Sequence, residues 1–185
     1  MAILGFGRTT FRLALVVITA STFHLRGETG PVIDEYQVKA AFLFNFAKFV
    51  QWPATAFKSP GEPIRICVYG PDPFGSSLED VVRGKAVGNR TFVVQEISNS
   101  QAARECHILF VAASEQKRLR SLLGNLKEAS VLTVGETEDF TASGGVVNFK
   151  LEDARIQIEI DKDAAERAKL RISSKLLSLA HKARK

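Results

Sequence analysis

Two cysteines, three histidines and a short run of acids are the residues of this 185-residue chain best able to do chemistry. Their spacing argues against most of it. His24, His107 and His181 stand far apart, and no pair has the spacing of a metal site. Two thiols are too few for a zinc cluster. Cys67 and Cys106 do not form a CxxC, so thioredoxin-type redox chemistry is not expected. Gly70-Pro71-Asp72-Pro73-Phe74-Gly75-Ser76-Ser77 superficially resembles a phosphate loop. Ser76 stands where such a loop needs lysine, and Pro71 and Pro73 have no N–H to offer a phosphate. No GxSxG elbow occurs. Asp72, Glu79 and Asp80 cluster at the end of a predicted strand, where open α/β sheets bind ligands. Acids there also simply favour a helix N-terminus. No catalytic set, metal or cofactor is expected.

The elements that must position these residues are legible from periodicity. A helix is predicted from about Asp34 to Gln51, capped by Asp34 with Gln37 as capping-box partner, and stopped by Trp52-Pro53. Tyr36, Ala40, Leu43, Ala47 and Val50 form one apolar stripe, and Val38, Phe42, Phe46 and Phe49 a second. The apolar arc is about twice the ~100° of an ordinary surface helix. Such a helix is either buried on two sides or shared with another chain. Strands are predicted at 63–70, 91–97, 106–111 and 131–134, with helices at about 74–82 and from Ser114. Alternating strands and helices argue for a mostly parallel, Rossmann-like sheet. Residues 146–151 and 155–160 alternate strictly and predict an antiparallel hairpin across Glu152-Asp153. Asp161 then opens one long terminal helix with Ala165, Ala168, Ile172, Leu176 and Leu179 on its apolar face, and Lys175, His181 and Lys182 near its negative end.

Cys67 and Cys106 fall in the first and third predicted strands, which such sheets commonly set side by side. A disulfide is one outcome and two buried thiols the other. A bridge closing about 40 residues would contribute roughly 4 kcal/mol on the chain-entropy model.

The start of the chain reads as a secretory signal over residues 1–27. Arg8 and Arg12 lead into the apolar run Leu13–Ala20, and no acid precedes Glu28. The run is shorter than the about 20 residues a membrane anchor needs. Its removal takes three arginines and lowers the formal charge from +5 to +2. The remaining bases are mixed with acids, so no nucleic-acid face is expected. Residues 28–185 read as one domain, and an exported chain meets conditions that favour disulfides.

The ordered motifs resemble the YfiR family. They are Glu35-Tyr36-Gln37-Val38-Lys39-Ala40-Ala41-Phe42-Leu43-Phe44-Asn45-Phe46-Ala47-Lys48-Phe49 running into Trp52-Pro53, and Ile66-Cys67-Val68-Tyr69-Gly70 with Pro73-Phe74-Gly75. Cys106-His107-Ile108-Leu109-Phe110, Gly144-Gly145-Val146-Val147-Asn148-Phe149 and Leu170-Arg171-Ile172-Ser173-Ser174-Lys175-Leu176-Leu177 complete the set. The resemblance implies a periplasmic homodimer. It also implies restraint of an inner-membrane diguanylate cyclase, through that protein's periplasmic sensor region, with effects on cyclic di-GMP and biofilm. An outer-membrane lipoprotein can lift such restraint. Cys67 and Cys106 match one bridge of the family's best-studied member. A second bridge of that member, in the terminal hairpin region, has no cysteines here.

The expected contact residues for a partner are Phe42, Phe46 and Phe49 on the opening helix and Phe149, Ile156, Ile158 and Ile160 on the hairpin. The rival expectation is a small-molecule module binding its ligand near Asp72 and Ser76. A polar pocket there would favour the rival, and a filled site with apolar surface elsewhere would favour the regulator.

Overall fold

The computed structural model describes residues 34–180 and 182–184. The expected leader, 1–27, and His181 lie outside them. Helix α1 runs Glu35–Phe49 and passes into strand β1, Val50–Gln51. Next come β2 (Ile64–Tyr69), α2 (Ser77–Val82), β3 (Phe92–Ile97), β4 (Ile108–Val111), α3 (Leu119–Asn125) and β5 (Leu132–Gly135). The remainder comprises β6 (Val147–Glu152), β7 (Arg155–Asp161), α4 (Lys162–Arg167), β8 (Arg171–Ile172), α5 (Ser174–Leu179) and β9 (Lys182–Arg184).

Among the described residues the main sheet has the order β3-β2-β4-β5-β6-β7-β9. The first five of these strands are parallel, β7 runs antiparallel to β6, and β9 runs parallel to β7. The Rossmann-like expectation and the hairpin both hold. Strand alternation builds two cores. Ile64, Ile66, Val68, Ile108, Phe110, Leu132 and Val134 face α1, α2, α4 and α5. Cys67, Tyr69, Leu109, Val111 and Val131 face α3. Strands apolar on both faces are what a sheet covered on both sides requires.

Helix α1 begins as its sequence demands, with the Asp34 carboxylate accepting the Tyr36 N–H at 3.0 Å. It is wedged between two neighbours. Phe44 packs edge-on to Phe92 of β3 at 5.5 Å, while Phe42 and Phe46 meet Phe149 of β6 at 5.9 and 5.8 Å. The wide apolar arc is therefore spent largely inside this chain.

Several expected boundaries shift. α1 stops at Phe49, because Val50–Gln51 pairs antiparallel with β8. The helix expected from Phe74 starts at Ser77, and the one expected from Ser114 opens as a 3₁₀ turn, Ala113–Arg118. The hairpin turn is Asp153-Ala154, both left-handed (φ 49° and 58°), as a two-residue turn needs.

The single long terminal helix does not form. α4 ends after Arg167, where Lys169 turns left-handed (φ 58°). The Leu170 N–H then reaches the Ala165 carbonyl at 2.9 Å, and the Lys169 N–H reaches Glu166 at 2.8 Å. This is a Schellman stop with lysine where glycine is usual, so the usual sequence signal is missing. Leu170 is thereby turned into the core, 3 % exposed. Ser173 caps α5 afresh through the Leu176 N–H. Leu179, assigned to the apolar face, is 60 % exposed. Lys182 belongs to β9 rather than to a helix end.

Gly135 and Gly145 are explained by one ring. Phe140 is fully buried between them, and a Cβ on either glycine would lie 2.1 Å from a carbon of that ring.

Candidate functional site

The sheet order changes direction between β2 and β4, so the crevice at the carboxyl ends of these strands is where a ligand would be sought first. Its contents are the chain's own side chains. Asp72 accepts the Phe74 N–H at 2.8 Å, which bends the loop after β2 inward. Phe74, 4 % exposed, then lies edge-on to Phe110 at 4.8 Å and to Tyr36 at 5.5 Å. Gly70, with φ 94°, backs onto the Glu115 side chain, whose Cγ would sit 2.7 Å from any added Cβ. Ser76 is exposed beyond this plug.

Behind Phe74 lies a buried ionic cluster that the motif search did not reach. Glu136 follows β5 directly. One of its carboxylate oxygens receives Lys39 Nζ at 2.6 Å, and the other accepts the Ala113 N–H at 3.2 Å, just past β4. The Tyr36 hydroxyl approaches both oxygens at 3.4 Å. The Lys39 ammonium also pairs with Glu35 and sits 4.5 Å above the Tyr36 ring. The Lys39 and Glu136 side chains are 4 % and 8 % exposed. Burial alone would lower the Lys39 pKa. Hydrogen bonds to Glu136 and Glu35, and their charges, overcome it and hold the ammonium above its ordinary value. The Tyr36 hydroxyl is raised by burial and by the facing Glu136 charge. The sequence does carry a trace of this cluster. Lys39 stands four residues before Leu43 and seven before Phe46, on the most deeply buried line of α1.

Cys67 and Cys106 are joined, with their Cα atoms 6.0 Å apart, and both are buried. β2 and β4 are neighbours as expected, although the residue opposite Cys67 is Leu109. Cys106 precedes β4 and approaches from the end of a 3₁₀ turn at Ala102–Glu105.

His107 is also structural. Its Nδ1 accepts the Arg65 N–H at 3.0 Å, which leaves Nε2–H to donate to the Ala56 carbonyl at 3.2 Å. The ring stacks on Phe57 at 4.4 Å, and the Trp52 indole N–H donates to the His107 carbonyl. Burial lowers its pKa, and the Ala56 contact and Glu62 only partly offset that. The neutral ring is thus favoured on folding. Its contribution to stability is whole above the unfolded value of about 6.5 and is lost as pH falls below it. His107→Phe should abolish this acid-side slope below about pH 6.5, while costing about 1–3 kcal/mol for the orphaned Arg65 N–H. Urea titrations at stepped pH read both effects.

The expected partner contacts divide by depth. Phe46, Phe149, Ile158 and Ile160 are at most 2 % exposed within this chain. Phe42, Phe49 and Ile156 are half-buried on the same core. Register places Leu151 opposite Ile156 and Phe149 opposite Ile158, so all four share one hairpin face. Leu151, at the hairpin tip and 58 % exposed, was not among the expected contacts. The predicted strand 146–151 already contained it, and alternation puts it on the Phe149 face. Phe42, Ile156 and Leu151 thus form the outer margin of a core that runs out into solvent.

Open space lies away from the plugged crevice. A groove of about 560 Å³ between α3 and α4 is lined by Leu126, Val131, Thr133, Val146 and Ala168 among others. Among the described residues no group of acids, cysteines and histidines is arranged to hold a metal ion. No helix among them is long and apolar enough to cross a membrane.

Comparison with known proteins gives a family and a fold. The YfiR/HmsC-like family model matches residues 36–181. No curated protein matches. Among solved structures, a conserved domain protein from Vibrio cholerae is similar with a TM-score of 0.56 at 11 % identity. The match covers 81 % of this chain and 60 % of that one, so this chain spans less than two thirds of its length. An ABC domain in complex with L-Trp from Streptococcus pneumonia aligns at a TM-score of 0.49 and 8 % identity, covering 66 % of this chain and 55 % of that one.

Proposed function

The chain belongs to the YfiR/HmsC-like family, and from that premise we propose that it is a periplasmic regulator that restrains a membrane diguanylate cyclase by binding the cyclase's periplasmic sensor region. The leader expected at residues 1–27 delivers it there, and an outer-membrane lipoprotein relieves the restraint by competing for it. It acts as a homodimer and not as an enzyme.

One observation carries this reading. The crevice where a ligand of such a sheet would bind is plugged by Phe74 and the Lys39–Glu136 pair, while apolar surface is left open at the hairpin tip by Leu151. The rival small-molecule module, with its ligand near Asp72 and Ser76, needs the opposite arrangement. Contact centred on Leu151, Ile156, Phe42 and Phe49 would extend the Phe46–Phe149 core into the partner. Apolar anchors continuous with a rigid core lose little entropy on binding.

Crosslinking in intact periplasm tests it. The expected product is a membrane protein bearing a diguanylate cyclase domain. Ile156→Asp together with Leu151→Asp should reduce its capture about tenfold or more and raise cyclic di-GMP, with the circular dichroism of the purified variant unchanged. Capture of no membrane protein, or equal capture by the variant, overturns the reading.

A further inference from the structure

The far edge of the sheet carries an independent inference. Among the described residues β3 is the terminal strand, hydrogen-bonded to β2 alone. Its pairing with β2 is unbroken from Ile64 opposite Phe92 to Tyr69 opposite Ile97. Natural edge strands are guarded by charged side chains, lysine above all, by proline, by bulges or by extreme shortness. The six residues Phe92-Val93-Val94-Gln95-Glu96-Ile97 include no lysine, proline or bulge, and one charge, Glu96. Val93 is 42 % exposed. Arg90, just before the strand, cannot guard it, because its guanidinium is held over the Phe57 ring and by the Glu62 carbonyl.

The direction of the free backbone groups is fixed. The Ile64 N–H donates to the Thr91 carbonyl and the Gly70 N–H to the Ile97 carbonyl. Odd-numbered residues of β3 therefore turn their backbone groups toward β2, and Phe92, Val94 and Glu96 turn theirs outward. The same three side chains share the sheet face that carries α1 and α2, since Phe92 and Val94 pack on that core. Beside them a groove of about 350 Å³ is lined by Val82, Arg83, Lys85, Phe92 and Val94. Lys85 Nζ lies 4.7 Å from the Phe44 ring, which itself packs on Phe92.

We propose that β3 pairs antiparallel with β3 of a second copy about a two-fold axis at Val94, joining two sheets into one. An axis there puts Val94 opposite Val94 and Phe92 opposite Glu96 of the second copy. Every one of these positions is an outward-facing one, so the hydrogen-bonding frames agree. It also sets Glu96 of each copy into the groove of the other, facing Lys85 and Arg83. The surface is thus self-complementary in backbone, apolar contact and charge, as an isologous interface must be. The proposal names the surface of the homodimer in the functional reading above. It uses the sheet end opposite the hairpin, so both sites can be occupied together.

Sedimentation velocity on the purified chain across a concentration series up to about 100 μM tests it. Wild type should show a dimer. Glu96→Lys sets like charges together twice per dimer and should weaken it on the order of tenfold or more. The doubly reversed chain Lys85→Glu/Glu96→Lys should recover dimerisation, a result that simple damage to the fold would not give. Val94→Pro removes an outward N–H without touching the β2 ladder, and should leave a folded monomer. A wild-type monomer throughout overturns both the surface and the homodimer, and leaves the edge to a segment of another protein. A dimer indifferent to Glu96→Lys and Val94→Pro overturns the surface alone.

Discussion

Replacing Cys67 and Cys106 together by alanine should lower the stability of the isolated chain by about 4 kcal/mol, read as a fall in the urea midpoint with a steeper slope, since the unfolded chain is no longer held compact. The bridge spans 39 residues that include α2 and the whole of β3. Without it the unfolded chain regains the freedom of that loop. The folded state changes less, because both sulfurs lie in the core under α3, with Cys67 fully buried and Cys106 3 % exposed. The same burial predicts the chemistry. The native chain should not react with an alkylating reagent. A mild reductant should act only as fast as the α3 side of the sheet opens, while reductant with denaturant should yield two thiols at once. Two thiols titrated in native material, or a double variant as stable as the parent, would refute the structural role. Since β3 lies inside the closed loop, the bridge also stiffens the edge proposed for self-association. Reduction should therefore weaken dimerisation before it unfolds the domain.

The parts of this fold legible in the sequence are those specified by one local pattern. β2, β4 and β5 read as apolar runs between glycines and polar turns, and the placing of β2 beside β4 followed from the doubly wound pattern. The β6–β7 hairpin read from its period of two. The terminal helix was misread because its stop depends on Lys169 adopting a left-handed conformation. The reward for that is the burial of Leu170 and the pairing of β8 with β1, both long-range facts. The partner residues were half legible. Apolar periodicity shows which face of the hairpin is greasy. It does not show that Phe46 and Phe149 stack on each other, leaving Leu151 and Ile156 at the margin. The ionic plug was hidden for a different reason. Lys39 and Glu136 are 97 residues apart, and a lone lysine on an apolar stripe reads as a defect until its partner is known.

That pair gives the other large effect. Lys39→Met should destabilise the chain by about 3–5 kcal/mol, because it strands the Glu136 carboxylate with only the Ala113 N–H and a long contact to Tyr36. Glu136→Met should cost a similar amount by stranding the ammonium, which would keep only Glu35. The double variant Lys39→Met/Glu136→Met should recover much of the loss, since removing both charges also removes their desolvation. The coupling extracted from this cycle should exceed about 1 kcal/mol, and a value near zero would mean the two charges do not sense each other. The pH dependence has a definite sign. Folding raises the pKa of Lys39, so its contribution is complete below the unfolded value of about 10.4 and disappears as pH climbs through the folded one. Folding raises Tyr36 as well, so its neutral form is favoured and that stabilisation also fails on the alkaline side. Wild type should therefore lose stability above about pH 10, and the double variant should lose less there. The consequence reaches the hairpin through α1. Lys39 anchors the first turns of the helix whose later turns hold Phe42 and Phe46 against Phe149. Lys39→Met should accordingly reduce capture of the proposed cyclase partner even at temperatures where the domain stays folded, whereas Asp72→Ala, which only loosens the loop over the plug, should leave capture nearly intact.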